Sequence, residues 1–275
     1  MTSHEQGRCC TVKTVLVTGA CGGMGQAICR QLLQDGLDVW GLDLRESAPL
    51  PGLHFIPCDV TDPESVAEAF HTISQQTGHL DAIVHTAGIY DLDSLLEMDE
   101  QRFRRIFEVN LFGVYRINKT FAALLSPGGR IVIVSSELAP LDPLPFTGIY
   151  AITKSALEKY AYSLRMEVAL RGISVSVLRP GAVNTGLLGD STRALDRFCD
   201  QTQLYTCNAQ RFKRIVNSVE ARNVPPERVA HAVRKALLSR RPRFIYNLNR
   251  NPLLLLLNIL PDRLQVFLIK LILKS

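Results

Sequence analysis

Val15-Leu16-Val17-Thr18-Gly19-Ala20-Cys21-Gly22-Gly23-Met24-Gly25 runs from a short apolar segment through a glycine-rich turn into a stretch of helical period, Met24 to Leu33. In the order strand, turn, helix, glycines at 19, 23 and 25 let the backbone bend sharply and approach an anionic ligand. The charge of a pyrophosphate would then face the unpaired N–H groups at the helix start. A glycine turn of this kind also fits a purely structural bend, so its surroundings decide the reading.

Outward from the turn, the segments Val39 to Leu42, His54 to Ile56, Ile83 to Val84, Ile131 to Val134 and Val175 to Leu178 repeat the short, often β-branched pattern of Val15 to Val17. Between them lie longer stretches of helical period: Glu64 to Ile73, Phe103 to Leu125 and Ala151 to Leu170. Near-continuous apolar strands alternating with amphipathic helices predict an α/β fold, a doubly wound parallel sheet with helices on both faces. Pro225 and Pro226 are placed to start a further helix through Val229 to Leu238, and Arg243 to Tyr246 reads as a seventh strand. The expected organisation is a disordered tail over residues 1–12, one domain over 13–250, and an apolar helical extension over 251–275. Within the domain, 187–223 is the least periodic part and reads as an insertion covering a pocket.

The chain has 275 residues, 47% of them hydrophobic, enough for one substantial core. A formal net charge of +5, spread along the chain until Arg240, Arg241 and Arg243, does not point to nucleic acid. Seven cysteines without C-x-x-C spacing and six scattered histidines offer no metal cluster. A polar N-terminus without an apolar core and the cysteine usage together predict a cytoplasmic protein. Leu253 to Leu260 and Leu264 to Leu273 are strongly apolar but interrupted by Pro261, Asp262 and Arg263, and neither run reaches the roughly 18 residues of a spanning helix. Arg263, Lys270 and Lys274 fall near one helical face, so the remaining Leu, Phe and Ile surface is expected to be covered by protein or lipid. Pocket lid, subunit interface and shallow membrane anchor are the three readings.

Asp43 closes the second strand about 20 residues after the turn, where a carboxylate accepts hydrogen bonds from an adenosine ribose and repels a 2′-phosphate. NAD is therefore expected over NADP, although Arg45 lies two residues on and a loop cap is the plainer role for Asp43. Asp59, in Cys58-Asp59-Val60, suits either the adenine edge or a cap for the helix that begins at Asp62-Pro63. Tyr150 and Lys154 stand four residues apart, hence on one helical face, and a cation beside a phenol favours its ionised form. Ser135-Ser136 ends the preceding strand at the carboxyl edge of the sheet, where open α/β folds bind ligands.

Together, the turn, the acidic strand end, the serine strand end and Tyr-x-x-x-Lys resemble the short-chain dehydrogenase/reductase family over roughly Lys13 to Thr185, and loosely its hydroxysteroid and retinol dehydrogenase branch. The resemblance implies a Rossmann-type fold, with Tyr150 as general acid/base and Ser136 orienting the substrate oxygen. Lys154 would hold the nicotinamide ribose, and Asn110 a water of a proton relay. The structural reading of Asn110 is a buried amide pinning a helix kink, and the two are compatible. It further implies cofactor contacts from Gly19, Gly23, Met24 and Gly25, from Asp43, Asp59 and Val60, and from Ala87 and Gly88. Tyr150, Lys154, Pro180, Gly181, Val183 and Thr185 complete that set. Two departures stand out. His85-Thr86-Ala87-Gly88 replaces the usual Asn-Asn-Ala-Gly, and Ser136 precedes Tyr150 by 14 positions instead of 13, which puts Glu137 at the usual spacing. One extra residue in the Pro-rich loop explains the second, with Ser135 in reserve.

The implied reaction is hydride transfer between NAD(H) and a secondary alcohol or ketone, without metal. The apolar C-terminus favours a bulky apolar substrate such as a steroid, bile acid or retinoid, and the resemblance implies a homodimer or homotetramer through the long helices. The alternatives are an NADP-dependent carbonyl reductase of small substrates and a non-catalytic NAD(P)-sensing regulator or scaffold. The complete Ser136, Tyr150 and Lys154 set argues against the latter.

Overall fold

All six apolar segments, and a seventh, pair into a single parallel sheet in the computed structural model, which describes residues 12–44, 50–220 and 222–274. The strands are β1 (Thr14–Thr18), β2 (Asp38–Asp43), β3 (Leu53–Pro57), β4 (Leu80–His85), β5 (Leu125–Val134), β6 (Ser174–Pro180) and β7 (Ile245–Leu248), in the order β3-β2-β1-β4-β5-β6-β7. The order reverses between β1 and β4, which opens a crevice at their carboxyl ends. The tail expected over 1–12 lies outside the described residues except for Val12, which is buried, and Arg45 also lies outside them.

Two cores clamp the sheet because successive side chains alternate between its faces. Val15 and Val17 join Ile28 and Leu32 of α1 (Gly23–Gln34) and Val229 and Val233 of α8 (Glu227–Leu238) on one face. On the other, Leu16, Trp40 and Ile83 meet α2 (Pro63–Gln76), α4 (Gly113–Phe121) and α5 (Gly148–Ala169) through Ile73, Ile117, Phe121 and Leu157. With both faces covered, the strands carry apolar side chains at nearly every position.

Three expected boundaries move. The stretch read as one helix from Phe103 to Leu125 is α3 (Glu100–Phe107), a π-helical turn (Glu108–Phe112) and α4. Asp99 starts α3 by accepting from the Gln101 and Arg102 N–H groups at 2.9 and 3.1 Å. β7 pairs from Ile245, two residues later than expected, since Phe244 uses its carbonyl to receive Val177 N–H ahead of the ladder. The 187–223 insertion is largely α6 (Gly186–Gln201) and α7 (Thr206–Glu220). The inner face of α6 holds Ser191, Ala194 and Cys199 beside Leu195 and Phe198, and these small and polar residues blur the helical period.

The C-terminal extension forms α9 (Pro252–Leu257) and α10 (Asp262–Lys274). α10 does not bury its whole apolar surface: Gln265 and Leu273 are buried, whereas Leu264, Val266, Phe267, Leu271 and Ile272 are exposed. It is held through Leu273 and Ile269, which join Ala209 and Phe212 of α7 in one apolar cluster, and through the bond from Asn208 Nδ2 to the Leu273 carbonyl at 2.7 Å. No helix among the described residues is long and apolar enough to cross a membrane.

Candidate active site

The glycine turn is held by contacts that admit no side chain. Gly19 has φ +69°, and a Cβ there would lie 2.6 Å from the Ala87 nitrogen; one at Gly25 would lie 1.9 Å from the Gly19 carbonyl oxygen. Gly22 starts α1 with no side-chain cap, so the first-turn N–H groups stay available to an anion. Two clefts meet here. One, of about 200 Å³, is lined by Gly19, Gly23, Met24, Gly25, Gly88, Tyr150, Lys154 and Thr185; the other, of about 340 Å³, by Gly19, Asp43, Asp59, Val60, Ala87 and Gly88. A nucleotide fits this arrangement: an uncapped helix start for phosphate lies between a carboxylate-edged end and an end lined by Tyr150 and Lys154.

Asp43 is both turn brace and cleft wall, because its carboxylate accepts Cys21 N–H at 2.9 Å and Leu44 N–H at 2.8 Å. Asp59 does not cap α2; Asp62 does, receiving Glu64 N–H at 3.0 Å. Asp59 instead accepts from the backbone and hydroxyl of Thr61 at 2.8 and 2.7 Å. Burial alone would push the Asp59 carboxyl up, but those bonds and the Arg105 and Arg116 guanidiniums hold it below the usual range.

Ser136, two residues beyond β5, and Tyr150, on the first turn of α5, line one cavity and the serine side chain draws the phenol pKa down, so the serine 14 positions away faces the phenol despite the longer loop. Glu137, at the usual spacing, is turned to the Asn251 N–H at 2.6 Å, and the Ser135 hydroxyl is buried with no partner among the described residues. Within the loop, Phe146 has a φ of 67° and sets its ring against Phe198, Tyr205 and Phe212.

Lys154 Nζ lies 5.7 Å from the Tyr150 ring centre and donates to the Val134 carbonyl at 3.2 Å. Burial lowers the Lys154 pKa to about 8, with Glu158 opposing, and pushes the Tyr150 phenol up to about 12 against the pull of the Ser136 side chain. Burial is the dominant influence on the phenol. Tyr150 keeps its proton at neutral pH, the form that donates to a carbonyl oxygen.

Asn110 sits in the π-helical turn, fully buried, and lines none of these cavities. Its Oδ1 accepts Ile89 N–H at 2.9 Å, and its Nδ2 donates to the Ile89 carbonyl at 3.0 Å and to Thr153 Oγ1 at 3.2 Å. A Cβ at Gly88 would lie 3.3 Å from Asn110 Oδ1 and 3.6 Å from Lys154 Nζ, so glycine keeps the gap between the two side chains open. His85 takes a structural bond, Nε2 to Asn118 Oδ1 at 2.9 Å, and burial lowers its pKa to about 4.

Ser136 and Tyr150 also open onto a third cavity of about 180 Å³, walled by Pro180, Gly181 and Val183 and by Leu187, Leu188, Phe212, Ile215, Val216 and Leu254. Residues 187–216 thus form its cover, and Leu254 of α9 contributes one wall. Several lining residues carry no signal in sequence. Tyr90, whose ring centre lies 4.7 Å from that of Tyr150, follows β4 without periodicity, and Arg105 enters the cleft beside Asp59 from a stretch read only for its helical period. No group of three or more His, Cys, Asp or Glu among the described residues is arranged to hold a metal ion.

A parallel sheet of this order, with serine and Tyr-x-x-x-Lys at its switch-point crevice, defines a nucleotide-dependent oxidoreductase. The sequence profile described as short chain dehydrogenase matches residues 13–196, and the chain belongs to that family. It is similar to a 3-oxoacyl-[acyl-carrier-protein] reductase MabA of Mycobacterium bovis, 30% identical over 72% of this chain and 79% of that protein. A 3-ketodihydrosphingosine reductase of Bacteroides thetaiotaomicron is 26% identical over 84% of this chain and 85% of its own. Among solved structures, the ligand-free aldohexose dehydrogenase of Thermoplasma acidophilum superposes with a TM-score of 0.73 at 25% identity, covering 88% of this chain and 96% of that one.

Proposed function

We propose that this short-chain dehydrogenase interconverts a bulky apolar secondary alcohol and its ketone, using NAD(H) in preference to NADP(H). The observation that carries the reading is the third cavity, where Ser136 and Tyr150 meet a wall of leucine, isoleucine, valine and phenylalanine side chains. Bound at the two clefts, the nicotinamide supplies the hydride. Gly19, Gly23 and Gly25 give its pyrophosphate close access to the start of α1, Asp43 receives the adenosine ribose, and Asp59 and Val60 flank the base. Lys154 holds the nicotinamide ribose, and Met24, Pro180, Val183 and Thr185 border the nicotinamide end. Ser136 orients the substrate oxygen while Tyr150 delivers or accepts its proton. Asn110 keeps Ile89 and the backbone beside Gly88 in place.

The names of the two relatives, a keto and an oxoacyl reductase, support a ketone as the reacting group, and the apolar wall supports a substrate with the bulk of a steroid, bile acid, retinoid or long acyl chain. Asp43 supports NAD, since a 2′-phosphate beside its carboxylate would meet like charge. The exposed Leu264, Val266, Phe267, Leu271 and Ile272, interleaved with Arg263, Lys270 and Lys274, support α10 as a shallow seat on an anionic membrane. Exposed Phe112, Tyr115, Tyr162 and Met166 on the long helices support a homo-oligomer. The chain is read as a cytoplasmic protein that visits a membrane surface.

Oxidation of NADH and NADPH is followed against apolar and small polar ketones, with Tyr150→Phe as control. Turnover of apolar ketones with NADH preferred, lost at least 100-fold in Tyr150→Phe, is expected. An unchanged rate in that variant overturns the assignment of Tyr150, equal use of the two cofactors overturns the preference, and turnover confined to small polar ketones overturns the substrate class.

A further inference from the structure

Glu137 is the single charged residue among those lining the cavity above Ser136 and Tyr150. It follows the catalytic serine directly, at the carboxyl end of β5, and is 7% exposed. Its Oε2 accepts the Asn251 N–H at 2.6 Å, and among the described residues no donor reaches Oε1. Space is kept for that oxygen, since a Cβ on Gly181 would come within 2.9 Å of it. Arg250 acts on the carboxylate from a distance, but it neither bonds to it nor lines the cavity. A carboxylate in an apolar wall with one backbone N–H for partner is under-compensated, and a formal positive charge supplies the strongest remaining partner.

We infer that Glu137 recognises a cationic amine carried by the substrate within the cavity it shares with Ser136 and Tyr150, so that the substrate class is an apolar amino ketone or amino alcohol. This rests on the ketone and alcohol reading above. Ser136 and Glu137 line the same cavity of about 180 Å³, so an oxygen held at Ser136 and an ammonium held at Glu137 can belong to one substrate molecule. The amine takes no part in the redox step. It fixes which way round the molecule lies, with the hydrocarbon running along Leu187, Phe212 and Ile215.

The full chain with NADH is assayed on a long-chain 2-amino-3-ketone and on the same ketone without the amine. The wild type is expected to favour the amino ketone at least tenfold in kcat/KM, mainly through KM, the size of a hydrogen bond to a charged group. Glu137→Gln keeps an acceptor for Asn251 N–H and is expected to bring that ratio close to one. In the wild type, a long-chain alkylammonium is expected to compete with the plain ketone at least tenfold better than the matching alkyl alcohol. That comparison needs no folded variant. A wild-type ratio near one with both ketones reduced overturns the role of Glu137 and leaves the ketone reading standing. An equal fall on both substrates in Glu137→Gln also overturns it, marking the residue as an anchor for Asn251 alone. Reduction of neither ketone overturns the ketone reading and this inference with it.

Discussion

Replacing Asn110 with alanine removes three hydrogen bonds at one point: from Ile89 N–H at 2.9 Å, to the Ile89 carbonyl at 3.0 Å and to Thr153 Oγ1 at 3.2 Å. Thr153 keeps its bond to the Tyr150 carbonyl at 2.8 Å and loses little. The cost falls on Ile89, which is half-buried, so water recovers part of it. A buried unpaired backbone group costs about 1–3 kcal/mol, and two partly rescued groups give about 2–4 kcal/mol, a large share of a typical domain's stability. Urea unfolding of Asn110→Ala is expected to show a lower midpoint with an unchanged slope. Ile89 lines both cofactor clefts, so NADH binding should weaken as well. A midpoint shift worth less than 1 kcal/mol together with a collapsed kcat would refute the clamp and leave Asn110 a role in proton transfer alone.

Four further outcomes are expected. Buried His85 has its pKa lowered to about 4 in the fold against about 6.5 unfolded. The folded state therefore excludes the charged form, and stability on the order of 3 kcal/mol is lost as pH falls from about 6.5 to 4. His85→Asn should lose less over that range in pH-dependent unfolding, and equal losses would sink the assignment. For ketone reduction, kcat/KM should be level below pH 8 and fall above it as Lys154, lowered to about 8 by burial, gives up its proton; a profile flat to pH 10 contradicts this. Met166→Glu should convert a homo-oligomer to monomer in light scattering, and a monomeric wild type would end that reading. Val266→Glu with Phe267→Glu should abolish pelleting with anionic vesicles at low salt while leaving neutral vesicles unaffected, and undiminished pelleting would rule out α10 as the contact.

The sheet was legible because its central strands are buried on both faces and bounded by turns, which leaves a hydrophobic run that little else produces. The break in the long helix at Glu108–Phe112 was legible only as a kink pinned by a buried Asn110; its π-helical form was not, since one wide turn shifts the apolar period too little to read. The site was legible where chemistry demands a residue type, as at Gly19, Ser136, Tyr150 and Lys154. It was not where the demand is only for shape: Tyr90, Leu187 and Phe212 meet around the cavity from three separate segments. The burial of Tyr150 and Lys154 was likewise not legible, because spacing reveals a nearby cation but not how deeply both groups are buried.

Leu254 closes one wall of the cavity, Asn251 is tied to Glu137, and Leu273 packs beneath α7. The last portion of the chain is therefore part of the enclosure around residues made more than 100 positions earlier. During synthesis the sheet as far as β6 has all its strands before either terminal helix exists, and domains assemble as their segments emerge. The nucleotide clefts draw all their lining residues from positions up to 190, whereas the substrate chamber needs position 254. The parts that line the two clefts are therefore all made before the parts that close the third cavity, which sets an order of maturation.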